Sequence, residues 1–209
     1  HANASNGKSE VVYEEKEDKY VSEVSDEMIT YLDNGEEFLL ISERDDWYSI
    51  YLYNFKTREI KQITESGYDV HTLLGFDQKS GTVYYSSHER GPKYLDTYSI
   101  RKDGKKKKRL TDKTGWNNTN FSSGFKYFIN RYSNINTPPL ISLHKENGRL
   151  IRVLEANDAL KQRMDKYGFA DVEFFDFETD YDLQLEGYMI KPADFDPDKK
   201  YPLFMFVYG

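Results

Sequence analysis

The feature that most constrains this chain is a repeat of about 45 residues, present three times in tandem. Segments Gly35–Glu65, Gly81–Asp112 and Gly124–Glu155 share one plan. Each opens on Gly and an apolar-aromatic run and passes through a polar loop into a second β-rich run. A tight turn and a closing strand follow. The closers are Ile63-Thr64-Glu65, Leu110-Thr111-Asp112 and Val153-Leu154-Glu155, spaced by 47 and 43 residues; the opening glycines are spaced by 46 and 43. A unit this short cannot bury its hydrophobic faces alone, so stacked neighbours must supply the core.

A further short strand precedes each repeat, at Met28–Asp33, Val70–Asp77 and Asn118–Ser122. Four strands per period is the composition of a propeller blade. The turn signals agree: Asp33-Asn34-Gly35, Lys102-Asp103-Gly104 and Glu146-Asn147-Gly148 offer residues that tolerate positive φ. The run Phe38-Leu39-Leu40-Ile41 is continuously apolar, as in a strand buried on both faces, whereas Ser49-Ile50-Tyr51-Leu52-Tyr53 alternates more. The leading segment, with its Asn6-Gly7 turn and Val11-Val12-Tyr13-Glu14-Glu15, has the pattern of the last hairpin of an earlier blade.

The expected fold is therefore mainly β: about three four-stranded β-propeller blades in an incomplete ring, followed by the first strands of a second domain. A ring of this kind closes with four to eight blades. Residues 1–156 are expected to be propeller, with a partial blade at 1–15 and blades at about 26–65, 70–112 and 118–155. An open array of three stacked sheets is the plainer alternative. An incomplete ring leaves end faces uncovered, which predicts exposed apolar surface or self-association, for example as a homodimer.

Beyond Ala156 the pattern changes. Asn157 is placed to cap a helix over Asp158–Met164 with its side-chain oxygen, and Gly168 to end it. Strands at Asp171–Glu178 and Leu183–Lys191 are expected to form a hairpin, and the apolar run Pro202–Tyr208 a central buried strand.

Several classes are disfavoured. A net charge of -7 lacks the basic face that nucleic acid requires. No apolar stretch approaches the roughly 20 residues that cross a bilayer, and His1–Glu10 lacks the basic start and apolar core of a signal peptide. The absence of cysteine excludes disulfides and thiolate chemistry. Triplets of glycosylation type at Asn3, Asn117 and Asn120 are expected by chance in an Asn-rich chain.

Several stretches together resemble the dipeptidyl peptidase IV branch of the prolyl oligopeptidase family. They are Arg152 to Leu160 (RVLEANDAL), Leu185 to Pro192 (LEGYMIKP), Lys199 to Leu203 (KKYPL) running into Val207-Tyr208-Gly209, and Ser42 to Trp47 (SERDDW) followed by Ile50 to Tyr53. The resemblance implies that an eight-bladed propeller caps an α/β-hydrolase domain, with residues 157–209 forming a linker helix and the start of the catalytic domain. It also implies a secreted or periplasmic serine exopeptidase that removes dipeptides, with Pro or Ala second, from peptides with a free N-terminus. It gives Tyr208 the role of donating its hydroxyl to the oxyanion of the tetrahedral intermediate. A non-catalytic propeller that binds peptides or proteins is the alternative.

The chemistry legible without that resemblance is sparse. A serine hydrolase uses a Ser on a strained turn, commonly G-x-S-x-G, followed by an acid and a His. No two glycines in this chain stand four residues apart. The resemblance implies that the nucleophile, acid and base lie outside this chain, and the chain by itself is expected to be inactive. His1, His71, His88 and His144 form no H-x-x-x-H pair, and no metal or cofactor is expected. Glu14-Glu15 and Glu36-Glu37 suit solvated strand ends and turns. The run Lys105–Arg109 suits an outer strand guarded against edge pairing. Asp45-Asp46 and the trio Asp194, Asp196 and Asp198 suit surface loops, because the trio lacks the Gly and late Glu of a calcium loop.

Overall fold

The computed structural model describes residues 1–207 apart from 19 and 24. The chain divides into two compact units, one of residues His1–Asn134 with Pro139–Ala156, the other of Ile135–Pro138 with Asn157–Gly209.

The first unit carries three four-stranded antiparallel sheets among the described residues, each with its strands in sequential order. Blade 1 is β1 (Ile29–Tyr31), β2 (Glu37–Ser42), β3 (Ser49–Asn54) and β4 (Ile60–Gln62). Blade 2 is β5 (Val70–Asp77), β6 (Thr82–Ser87), β7 (Asp96–Arg101) and β8 (Lys108–Arg109). Blade 3 is β9 (Trp116–Phe121), β10 (Tyr127–Asn134), β11 (Thr137–Lys145) and β12 (Leu150–Glu155). The expected mainly β, bladed fold is what forms.

The second strands show why neighbours are required. Alternate side chains of a strand leave opposite faces of the sheet. In β2, Leu39 and Ile41 join a core with Val83, Tyr85, Tyr98 and Ile100 of blade 2. Phe38 and Leu40 pack on the other face with Tyr51, Tyr53 and Tyr13. In β6, Val83 and Tyr85 face blade 1, while Tyr84 joins Leu110 and Phe128 in a third cluster toward blade 3. β10 differs: Phe128, Asn130 and Tyr132 are buried, but Tyr127, Ile129 and Arg131 are exposed. β12 is exposed throughout. Among the described residues, nothing covers that face of blade 3.

The repeat is matched by repeated inter-blade contacts. Val70 donates its backbone N–H to Tyr48 O (2.7 Å), and Asn117 donates to Leu95 O (2.9 Å). Each bond ties the start of one blade to the residue just before the third strand of the blade before. At the opposite rim, Lys61 donates Nζ to Asp103 O (3.1 Å) and Lys108 donates to Asn147 O (2.7 Å), each reaching the next blade's last turn. The glycines of those turns lie against the preceding closer. A Cβ on Gly104 would stand 3.4 Å from Ile63 O, and one on Gly148 would stand 2.5 Å from Leu110 O.

The closers themselves end the ladder. Thr64 Oγ1 accepts from Ile50 N (2.9 Å), and Thr111 Oγ1 accepts from Thr97 N (3.1 Å). After one last backbone bond from Ile63 N to Ile50 O and from Leu110 N to Thr97 O, the hydroxyl stands where a further backbone acceptor would, and the ladder ends. Leu154 has no hydroxyl, and β12 continues to Glu155, paired with Ile141.

Three expectations need correction. Val11–Glu15 forms no strand. Its turn exists, with an isolated Ala2–Ser9 bridge and a 2.8 Å bond from Asn3 N to Lys8 O. Among the described residues no strand precedes it to complete a ladder, so blade 1 side chains satisfy its backbone instead. Tyr53 Oη and Arg58 both bond Val12 O, and the Tyr13 ring packs on Phe38 and Tyr53.

In the second unit, α1 (Asp158–Tyr167) begins where expected, but Asn157 makes no side-chain cap. Its backbone is left-handed at φ 56, outside the extended conformation that directs a cap oxygen at the helix. Gly168 does end the helix, donating its N–H to Met164 O. The hairpin forms as β13 (Val172–Glu178) and β14 (Gln184–Ile190), and Asn136 Oδ1 accepts from Val172 N (2.9 Å). The run 201–207 is not a buried strand: Leu203 is 80% exposed and Phe204 88%. A central strand needs a hydrogen-bonded neighbour on each side, and no described strand pairs with it.

Gly148→Ala is expected to destabilise the protein more than Gly104→Ala. Both lose a positive-φ glycine, but only the first drives a Cβ into a backbone carbonyl. The excess should be about 1–3 kcal/mol in urea unfolding; equal losses would mean that the blade interface gives way there without cost.

Candidate functional site

The loops that follow the second strands lie at the same end of blades 1 and 2 as the starts of β5 and β9. Loop 43–48 turns tightly because Asp46 adopts φ 67 and donates its N–H to Glu43 O (3.0 Å). Asp45 accepts from Tyr51 Oη (2.6 Å), and the Arg44 guanidinium lies 5.6 Å from that ring's centroid. Glu43 accepts from Ser22 N (2.9 Å), while Tyr48 Oη donates to Ser22 Oγ (2.6 Å). Asp45 and Asp46 are therefore structural members of a loop.

Beneath this end, blades 2 and 3 meet across a buried polar network. Asp96, 1% exposed, accepts from Arg90 Nε (2.6 Å) and from Thr111 Oγ1 (3.0 Å). Asn117 donates from Nδ2 to Leu95 O and Lys113 O, both at 3.0 Å, and accepts from Asn130 Nδ2 (2.9 Å). Thr97 and Thr119 share a 2.5 Å hydroxyl contact. Most of these buried groups are met by a partner, which makes their burial tolerable; Arg90 Nη2 and Asn130 Oδ1 are left without one. Asn117 is thus an interior residue with its amide engaged, and its triplet is no glycan acceptor in the folded chain.

Over the network lies an imidazole–indole cluster. His71 and His88 are T-shaped, with ring centroids 5.3 Å apart. Trp116, 40% exposed, lies 6.0 Å from His71 and 5.4 Å from His88. His88 Nδ1 is 2.8 Å from Tyr94 O. A carbonyl only accepts, so Nδ1 carries a proton, and in the neutral ring Nε2 is the nitrogen with the lone pair. Burial, then the neighbouring His88, holds the His71 imidazolium pKa below its usual value.

His144 is different. Its Nε2 is 2.8 Å from Ser142 Oγ and its Nδ1 is 3.1 Å from Gly148 O, an arrangement with the hydrogen bonds of a nucleophile and its base. Both residues are buried, and the Phe128 ring stacks on the imidazole at 4.9 Å and 2°. A carbonyl stands where a triad has its acid, and no substrate carbonyl could reach the hydroxyl. The pair locks the β11–β12 hairpin. His1, exposed, stacks on Phe55 at 5.7 Å.

The basic run does more than guard an edge. Lys107 pairs with Glu65 (2.8 Å) and Glu89 (2.6 Å) and lies 5.5 Å from the Tyr68 ring centroid. Burial opposes its charge, but the bonds to Glu65 and Glu89 prevail and push its pKa up. Asp196 is spent locally, accepting from Asp198 N (3.0 Å) and pairing with Lys199 (3.2 Å). Among the described residues, no group of three or more His, Asp or Glu is gathered to hold a metal ion. Tyr208, to which the resemblance gives a catalytic role, lies outside the described residues.

A stack of four-stranded blades, each bound to the next by its first strand and last turn, defines a segment of a β-propeller. The dipeptidyl peptidase IV (DPP IV) N-terminal region family matches residues 1–139. The chain belongs to that family. It is 28% identical to a dipeptidyl peptidase 4 of Arthroderma otae, over 84% of this chain and 23% of that protein. A dipeptidyl peptidase 4 of Trichophyton rubrum matches with the same identity and coverage. Among solved structures, Porphyromonas gingivalis dipeptidyl peptidase 4 superposes with a TM-score of 0.77 and 36% identity, over 84% of this chain and 25% of that one. A putative dipeptidyl aminopeptidase IV from Bacteroides ovatus shares the fold, with a TM-score of 0.72 at 23% identity. The chain spans about a quarter of the length of these relatives.

Asp96→Ala should cost about 2–4 kcal/mol, since it strips Arg90 and Thr111 of a buried acceptor, whereas Asp46→Ala at the exposed loop should cost less than half of that. Denaturant melts that fail to separate the two would remove the network from the stability of the fold. A second expectation concerns alkali. Burial, first, pushes up the phenols of Tyr51, Tyr84, Tyr85 and Tyr98; Asp77 adds to it at Tyr84, which rises to about 12. The unfolded chain therefore gives up these protons first, and stability, complete below the ordinary tyrosine value of 10.0, is lost as pH rises through the folded values. Urea midpoints should be flat from neutrality to about pH 9.5 and fall steeply above it.

Proposed function

We propose that this chain is the blade-bearing part of a serine exopeptidase that releases dipeptides from free peptide N-termini, with Pro or Ala second. The observation that carries this reading is its likeness to Porphyromonas gingivalis dipeptidyl peptidase 4, at 36% identity over 84% of the chain. Residues 1–156 are the propeller part, and residues 157–209 are the linker helix and the start of an α/β-hydrolase domain. In this reading the protein works outside the cytoplasm, in the periplasm or as a secreted enzyme.

The blades then act as walls and as a substrate filter. The described residues hold one close Ser–His pair, Ser142 with His144, and it is buried, so bond cleavage belongs to groups supplied by the rest of the enzyme. Tyr208 is the contribution of this chain to the chemistry. Its phenol donates to the oxygen on which negative charge develops when the peptide carbonyl is attacked, an interaction far stronger in the transition state than in the ground state.

The full-length protein should hydrolyse a chromogenic X-Pro anilide with a free N-terminus and leave the N-acetylated anilide untouched. Tyr208→Phe should lower kcat about tenfold to a thousandfold with an unchanged melting curve. Absence of hydrolysis, together with saturable peptide binding, would replace this reading with a non-catalytic binding propeller; unchanged turnover in Tyr208→Phe would remove that residue from the mechanism.

A further inference from the structure

The imidazole–indole cluster has no part in the proposed reaction, yet it is built with care. His71 is the extra residue of a β-bulge: the β5–β6 register shifts between Val70, opposite Ser87, and Thr72, opposite Ser86. Bulges leave one residue out of the ladder and re-aim its side chain. Here the bulge brings the His71 ring against His88, one residue past the end of β6. Trp116, the first residue of β9 in the next blade, completes the corner.

We infer that His71 and His88 form a binding site for one divalent transition-metal ion of the imidazole-seeking class, Cu²⁺, Zn²⁺ or Ni²⁺, flanked by the Trp116 indole. Three observations carry this. The first is spacing: two imidazoles that each ligate one ion at about 2.0–2.1 Å place their ring centres about 5–6 Å apart at angles near tetrahedral, and these stand at 5.3 Å. The second is orientation. His88 gives its Nδ1 proton to Tyr94 O at 2.8 Å, the backbone contact that fixes a metal-binding tautomer and leaves Nε2 as donor. The third is availability. Among the described residues, the His71 ring makes no hydrogen bond and His88 Nε2 has no partner, and His71 is exposed and His88 partly so.

The chemistry of the donors selects the ion. Two neutral nitrogens without a carboxylate suit borderline-soft cations and offer nothing to Mg²⁺ or Ca²⁺, which take oxygen. Water completes the coordination. Affinity should follow the divalent order with Cu²⁺ tightest. A bound ion would link the bulge of β5 to the end of β6 beneath Trp116, at the joint between blades 2 and 3, and its dication would change the field at the loop-bearing end.

The test is calorimetric titration of the intact protein with Cu²⁺, and separately with Zn²⁺, comparing wild type with His71→Ala, His88→Ala and the double variant. Wild type should take up one more Cu²⁺ than the double variant, and each single variant should weaken that site about tenfold or more. Any binding by His1 or His144 persists in every variant and cancels. Mg²⁺ and Ca²⁺ should produce no difference between the proteins. Binding of Cu²⁺ should quench a component of tryptophan fluorescence that Trp116→Phe abolishes while the stoichiometry stays unchanged. If His88→Ala unfolds, His88→Phe keeps the aromatic contact and removes the donor, and it should lose the site equally. Equal Cu²⁺ stoichiometry and affinity in wild type and double variant would overturn the assignment, as would a site that binds Ca²⁺ as well as Cu²⁺.

Discussion

The structure depends on face-to-face burial between blades. A four-stranded sheet whose second strand is apolar on both faces cannot satisfy itself, because alternate side chains leave opposite sides and each side needs a cover. Blade 1 covers Val83 and Tyr85 of blade 2, and blade 3 covers Tyr84. Blade 3 shows the same rule from its uncovered side, with Tyr127 and Ile129 turned to solvent. Blade 2 is therefore half of two interfaces, and its stability is shared with both neighbours.

Face-to-face packing is not directional, so something else must set how one blade is registered on the next. Three contacts recur to do this. A backbone bond joins the first strand of one blade to the residue that leads into the third strand of the blade before, a lysine of the outer strand reaches the next blade's turn carbonyl, and a glycine in that turn lies against the preceding closer. The polar network around Asp96 adds direction at the joint between blades 2 and 3, since hydrogen bonds in a buried site tolerate little displacement. The loop-bearing end inherits its rigidity from this joint. Bonds from Leu95 to Gly115 and from Asn117 to Leu95 hold Trp116, between them, beside His71 and His88.

Membership of a peptidase family and possession of peptidase chemistry are separate matters in this chain. Ser142 and His144 have the bond pattern of an activated nucleophile, yet Phe128 covers the imidazole and a backbone carbonyl stands where an acid would be. A hydrogen bond between hydroxyl and imidazole makes a catalyst only when a substrate carbonyl can reach it and oxyanion donors await the charge. The fold carries surfaces that shape a site, and function follows from what is placed on them.

The repeat length, the strand count and the hairpin turns were all legible in the sequence, because strand alternation and turn chemistry are local and Asn, Asp and Gly advertise positive φ at short range. The segment around Val11–Glu15 has the local pattern of a strand for the same reason: its residue types favour extension, but a strand exists only where a partner does. Lys105–Arg109 suggested nothing beyond a solvated edge, since the acceptors of Lys107 and Lys108 lie far away in sequence, at Glu65 and Asn147. The histidine cluster was equally hidden, for its members come from two strands and its Trp from another blade. Sequence alone determined the strands of the three repeats and that they group in fours. Only the tertiary structure decided which side chains meet across blades, because those contacts are set by register and bulges, which depend on partners distant in the chain.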